Sequence, residues 1–221
     1  MSKEDLIQLY IKKHRLHSLF SQNKMPDFDL IVFEKDEILL RENYISNYLY
    51  FIVKGSVKIF TYSSQGKVVY IHKYIDSFQL LGETASLWGF TPVANVQAQT
   101  KVTCLRLSLS DYQKQLFNDP VFLRYVGKLL ANRIQNSNMF LLSMMHTNLP
   151  ERLANFILDN AHDQLFSLSL TETADFLGTS YRHLLRCLNA FYEAKLLKRE
   201  GRKIRIIDNQ QLLAVAKDIK L

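Results

Sequence analysis

Residues 169–186 read Ser-Leu-Thr-Glu-Thr-Ala-Asp-Phe-Leu-Gly-Thr-Ser-Tyr-Arg-His-Leu-Leu-Arg, and this stretch decides the fold. Ser169 followed by Glu172 is a capping-box pattern, which predicts a short helix from Leu170 to Leu177. Ala174 and Gly178 stand four residues apart, the spacing a helix-turn-helix requires. The small side chain admits a close helix crossing, and glycine takes the left-handed turn. Thr179 and Ser180 are candidate caps for a second helix ending near Lys195. On that helix Leu184, Cys187, Leu188 and Phe191 share one face. Tyr181, Arg182, Leu185, Arg186 and Asn189 fall on the other, with two guanidiniums near the N-terminal end. Such a face suits the edges of bases in a major groove.

Downstream, residues 198–207 read as a β-hairpin turning at Gly201. Arg202 and Lys203 at its tip are candidates for phosphate contact, which positions a protein on DNA without reading sequence. The order of cap, Ala–Gly spacing, helix and basic hairpin is what carries the DNA-binding reading, because arginine faces alone are commonly just solvated. Charge agrees with it. The 221 residues carry 28 Lys plus Arg against 21 Asp plus Glu, a net of +7. Residues 178–207 hold eight of the basic residues and two acidic ones, Glu193 and Glu200, so the excess is local and C-terminal.

Upstream, the pattern changes. Apolar residues Phe122, Val126, Leu129, Leu130, Ile134, Leu141 and Met144/Met145 recur at helical intervals between Asp119-Pro120, a favourable start, and His146. A helix of about 40 Å follows at 1.5 Å per residue. It is either a buried connector or the seam of a parallel dimer, and C2 symmetry favours the dimer. From about residue 28 to 109, short runs rich in β-branched and aromatic residues (48–53, 56–62, 67–74 and 101–109) alternate with polar or glycine breaks. They predict an antiparallel roll or barrel. The first twenty residues predict a short helix. The expected division is 1–118, the roll with its N-terminal helix; 119–146, the dimerisation helix; and 147–221, the DNA-binding domain.

Composition excludes several classes. Apolar residues make up 48% and charged residues 22%, with 7 Gly and 4 Pro, which is neither disordered nor collagenous. Two cysteines are too few for a disulfide scaffold, so a reducing, cytoplasmic setting is expected. No apolar run is long enough to span a bilayer, so no membrane partner is expected. There is no Gly-x-Ser-x-Gly, Walker loop or dinucleotide fingerprint, so the chain does not read as an enzyme. The histidines show no metal-ligand spacing with the cysteines; no metal and no cofactor are implied. His14 and His17, an i, i+3 pair without a partner carboxylate, are expected at the surface. Cys104 and Cys187 read as buried small hydrophobes.

The whole chain resembles the Crp–Fnr family of bacterial transcription regulators, most of all in residues 177–186. The Ser-Tyr-Arg-His-Leu-Leu run there is similar to that of the YeiL-like branch. The resemblance implies an α+β protein: an N-terminal antiparallel β-roll like a cyclic-nucleotide-binding domain, a long dimerisation helix and a C-terminal winged helix-turn-helix. It implies a homodimer, joined through helix 119–146, on a palindromic site in double-stranded DNA. Tyr181, Arg182 and Arg186 would read bases; Thr179, Ser180 and His183 would contact phosphates. Arg186 matches the family arginine that reads guanine. Arg182 stands where many members carry Glu, so the half-site should differ from the commonest one.

In the roll, Gly55 and Gly66 fall at turns, and Leu81-Gly82-Glu83 matches the start of the phosphate-binding cassette. Glu83 reads first as a structural acceptor in a turn, and Gly82 and Glu83 are only secondarily candidates for an effector pocket. Where cyclic-AMP binders carry Arg-Ser, this chain has Pro92-Val93-Ala94, which offers neither cation nor hydroxyl to a buried phosphate. The effector, if any, is therefore an unknown small molecule rather than cyclic AMP. The two cysteines also fall short of the four that hold an iron–sulfur cluster in the redox branch. RNA polymerase would be a further partner of an activator. The alternative is a small-molecule-binding module whose basic C-terminal domain docks another protein.

Overall fold

The computed structural model describes residues 2–22, 25–66, 68–74, 78–161, 163–167, 169–201 and 203–216. The chain forms two compact units, 1–131 and 132–221, which divide within one long helix.

In the first unit Ser2 starts α1 (Lys3–Lys13) with a capping box: its hydroxyl accepts from Asp5 N (3.1 Å) and the Asp5 carboxylate accepts from Ser2 N (2.8 Å). A 3₁₀ turn, Leu16–Leu19, follows. The strands are β1 (Asp29–Phe33), β2 (Ile38–Leu40), β3 (Tyr48–Lys54), β4 (Val57–Tyr62), β5 (Val68–Tyr74), β6 (Gln79–Leu81), β7 (Asn95–Ala98) and β8 (Val102–Ser108). A short helix, α2 (Ala85–Trp88), precedes β7. The strands make two four-stranded antiparallel sheets, ordered β1-β8-β3-β6 and β2-β7-β4-β5.

β3 explains its own sequence. Leu49, Phe51 and Val53 pack into a core shared with Ile11, Leu105 and Leu107, whereas Tyr50 and Ile52 enter a second core with Val57, Val96, Ala98 and Cys104. A strand buried on both faces has no solvated side to alternate with, so it reads as a continuous apolar run. Burying each such large side chain contributes roughly 1.5–3 kcal/mol. β3 turns into β4 at Gly55, φ +95°. A Cβ there would collide with the Lys101 carbonyl oxygen, so only glycine fits.

Two expectations need correction. Leu109 is not the end of a strand but the first residue of α3 (Leu109–Phe117), whose Leu109 and Leu116 are buried. His14 is not a surface residue: its Nε2 lies 3.1 Å from the Val53 carbonyl oxygen, and its ring stacks on Phe78 and Tyr10. Burial, reinforced by Lys13, holds its pKa below the ordinary histidine value despite that hydrogen bond. His17 is exposed, as expected.

The long helix is α4 (Pro120–His146). Phe122, Val126, Leu129 and Leu130 belong to the first unit's core, and Phe20 stacks on Phe122 at 5.4 Å. Further along, Ile134, Leu141 and Met145 are 63%, 58% and 77% exposed. The single apolar periodicity of the sequence therefore serves two purposes, an inward face at the start and an outward stripe at the end.

In the second unit α5 (Leu149–Asn160) opens on a reciprocal box between Asn148 and Glu151. Then come β9 (Leu165–Ser167), α6 (Leu170–Phe176), α7 (Tyr181–Glu193), β10 (Leu197–Glu200), β11 (Lys203–Ile206) and α8 (Asn209–Val215). The strands form an antiparallel sheet, β10-β11-β9. Leu153, Ile157, Ala174, Leu184, Leu188, Ile204 and Leu212 meet in its core.

Asp119 secures the start of α4. It is fully buried and accepts from Ser21 N (2.8 Å), Ser21 Oγ (2.6 Å), Val121 N (2.9 Å) and Phe122 N (3.3 Å). Burial alone would raise its pKa, but these hydrogen bonds to the carboxylate outweigh it and hold the pKa below the ordinary value. Its contribution is therefore complete above the unfolded carboxylate pKa, near 3.9, and is lost as pH falls through the lower folded value. Asp119→Ala should cost about 1–3 kcal/mol in urea or thermal unfolding at neutral pH. Asp119→Asn should lose stability less steeply than wild type below about pH 4; identical acid limbs would contradict this.

Candidate nucleic-acid interface

The turn between α6 and α7 is built by backbone geometry. Gly178 has φ +61°, Thr179 N donates to Ala174 O (2.9 Å) and Gly178 N donates to Asp175 O (3.2 Å). These are the two bonds of a Schellman C-cap, which closes α6 and releases the chain in a new direction. Two residues later Ser180 caps α7, its Oγ accepting from His183 N at 3.2 Å. That bond uses an oxygen lone pair and leaves the hydroxyl proton free to donate outward.

Once α7 starts there, its periodicity sorts the side chains. Leu184, Cys187, Leu188 and Phe191 are buried; Tyr181, Arg182, His183, Arg186 and Asn189 are exposed. α7 ends in a second Schellman motif, with Lys195 at φ +56°, Leu196 N donating to Phe191 O (3.0 Å) and Lys195 N to Tyr192 O (3.0 Å). Leu196 and Phe191 are both buried beside that cap. The hairpin β10–β11 then turns at Gly201, φ +63°, with Lys203 exposed at the first position of β11.

The structure brings Thr179, Ser180, Tyr181, Arg182, His183 and Arg186 together around the N-terminal half of α7. Thr179 Oγ1 lies 3.5 Å from His183 Nδ1. Arg202 lies outside the described residues. Two details depart from the sequence reading. Ser169 occupies the N-cap position of α6 but makes no capping bond with its side chain. Arg205, counted above with the basic residues, donates from Nε to Glu200 Oε1 at 2.7 Å, and this pairing lowers the Glu200 pKa and raises that of Arg205. Their side chains are spaced across a hairpin, a pattern visible in the sequence once the turn is placed at Gly201.

Sequence reasoning also missed how α4 reaches this turn. The Met144 methyl lies 2.8 Å from where a Cβ on residue 178 would sit, and Phe140 contacts Phe176 with ring centroids 5.3 Å apart. The i, i+4 spacing of Phe140 and Met144 was the available signal.

In the roll, Gly82 (φ +92°) makes a turn in which its carbonyl accepts from Ser86 N (2.8 Å) and Leu87 N (3.1 Å), and Glu83 is buried. Val93 is 77% exposed, and no Lys or Arg occurs between Glu83 and Lys101. Both cysteines are buried; burial pushes the thiol of Cys104 up to about 12 and that of Cys187 to about 11. Among the described residues no group of three or more His, Cys, Asp or Glu could hold a metal ion. No helix among them is long and apolar enough to cross a membrane.

Comparison with known proteins matches residues 30–119 to the cyclic nucleotide-binding domain and residues 151–215 to the Crp-like helix-turn-helix domain. The chain is 28% identical over 200 residues to the regulatory protein YeiL of Escherichia coli O157:H7, covering 89% of this chain and 90% of that one. Its fold is similar to that of FixK2 from Bradyrhizobium japonicum, with a TM-score of 0.74, 19% identity and coverage of 88% and 100%. It is also similar to the c-di-GMP-responsive global regulator CLP of Xanthomonas campestris, with a TM-score of 0.71, 18% identity and coverage of 90% and 98%.

The two helix ends give predictions of opposite sign. Gly178→Ala places a Cβ in left-handed backbone and against Met144, and should destabilise by about 1–2 kcal/mol. Lys195→Gly relieves the same conformation and should stabilise by up to about 1 kcal/mol. Thermal unfolding of both variants checks this; a loss in both would contradict the assignment of the Lys195 cap.

Proposed function

The chain belongs to the Crp–Fnr family of bacterial transcription regulators and carries that family's helix-turn-helix DNA-binding domain, and from this premise we propose that it binds a palindromic site in double-stranded DNA as a homodimer. The observation that carries this reading is α7 itself, sealed on one face and presenting Tyr181, Arg182 and Arg186 on the other. Arg186 takes a guanine through its O6 and N7 acceptors, and Arg182 selects an acceptor-rich base edge rather than cytosine N4. Thr179, Ser180 and His183 at the start of α7, with Arg202 and Lys203 on the hairpin, hold phosphates. Unpaired N–H groups at a helix start favour an anion there as well.

The dimer forms through helix 119–146. Ile134, Leu141 and Met145 recur at seven and eleven residues, and a stripe so exposed is removed from water when two copies meet along it. The working parts are then the roll, 1–118, the dimerisation helix, 119–146, and the DNA-binding domain, 147–221. The roll either senses a small molecule other than cyclic AMP, since Pro92-Val93-Ala94 leaves a cyclic phosphate without a cation, or serves as a scaffold that biases the geometry of the dimer; Gly82 and Glu83 mark where an effector pocket would lie. The protein acts in the cytoplasm, with RNA polymerase as its partner where it activates.

Titration of labelled duplexes tests the reading. Arg186→Ala should relax specificity at one base position per half-site by about 1–3 kcal/mol. Lys203→Ala should weaken every duplex alike and reduce the salt slope by about 1. Equal binding of wild type and Arg186→Ala to all duplexes would favour a C-terminal domain that docks a protein instead.

A further inference from the structure

The last two turns of α4 are built into the second unit at the helix-turn-helix itself. Phe140 meets Phe176 at 5.3 Å, Phe176 meets Phe156 at 5.0 Å, and Phe156 meets Phe166 edge-on at 5.6 Å. An aromatic chain thus runs from α4 through α6 and α5 to β9. One turn further along α4, the Met144 methyl occupies the space that any side chain at residue 178 would need. Only Thr147 and Asn148 separate α4 from α5. Thr147 is buried, its carbonyl accepts from Arg152, and Asn148 is held by the reciprocal box with Glu151. The connection has little slack.

Two features argue that these contacts do more than complete a core. Phe140 is 39% exposed and Met144 only half-buried, whereas Leu153, Ile157 and Leu184 have no exposure, so the domain's core closes without them. Phe140 and Met144 also immediately precede Leu141 and Met145 of the exposed stripe. On a helix, neighbours in sequence are about 100° apart, so one flank of α4 touches the turn while the adjacent flank carries the dimer stripe.

We propose that Phe140 and Met144 are positioning residues that fix the recognition helix relative to the dimer stripe, and so set the separation at which two recognition helices are presented to DNA. The inference rests on the DNA reading above. The two half-sites of a palindrome are engaged together only if that separation matches the duplex, because the second contact draws on an effective concentration that misplacement removes. The intrinsic affinity of a single α7 for a single half-site depends on its own side chains and is indifferent to α4.

The test compares a duplex carrying both half-sites with one in which the second is scrambled. Phe140→Ala and Met144→Ala should each lose about tenfold or more on the two-site duplex while staying within about twofold of wild type on the single half-site. Met144→Leu, which refills the contact with an apolar side chain of similar volume, should restore two-site binding. Thermal unfolding of each variant accompanies the titrations. Equal weakening on both duplexes, tracking a fall in stability, would overturn the positioning role, as would unchanged binding to both. A wild-type protein that distinguishes no duplex from another would overturn the DNA reading and this inference with it.

Discussion

The left-handed backbone at Gly178 is the constraint on which the DNA-binding unit depends. It lets Thr179 N return to Ala174 O, which ends α6, and it places Ser180 where its hydroxyl starts α7. The phase of α7 then follows: a start at Tyr181 puts Leu184, Cys187, Leu188 and Phe191 in the core and leaves the two arginines in solvent. A start displaced by one residue would rotate the face by about 100° and bury a guanidinium. The same glycine, having no Cβ, leaves room for Met144.

How much of this was legible depends on how local its cause is. The turn, the Ser180 cap, the two faces of α7 and the hairpin at Gly201 all follow from residues within one or two helical turns of each other, and the sequence states them directly. β3 and β8 were legible as strands for a similar reason, although the doubly buried character of β3 required knowing that one sheet lies between two cores. Helices α3 and α8 went unread: Leu109 continues the apolar run of β8, and Asp208, a working cap to Gln211 N at 2.9 Å, is a signal that was present but unused.

What stayed hidden is tertiary. The Ser169 pattern matched a capping box, but its side chain makes no capping bond to α6. His14 looked solvated because Val53 and Phe78 are distant in sequence. The charge count of the stretch included both Arg205 and Glu200, but not that the hairpin pairs them. Thr179 to His183 and Arg186 lie together at the start of α7 because they are close in sequence, and Lys203 is exposed on the hairpin. The roll keeps the turn at Gly82 and the buried Glu83, yet its Pro92-Val93-Ala94 segment has the chemistry of an apolar loop rather than a phosphate cradle.

Everything proposed for this protein requires that α7 read a two-fold DNA sequence. Selection from a randomised duplex pool at near-physiological salt, with and without cell extract to supply an effector, tests it most directly. An enriched palindrome is expected, with half-sites one helical turn, ~34 Å, apart. Retention of duplexes with no common sequence under either condition would contradict it.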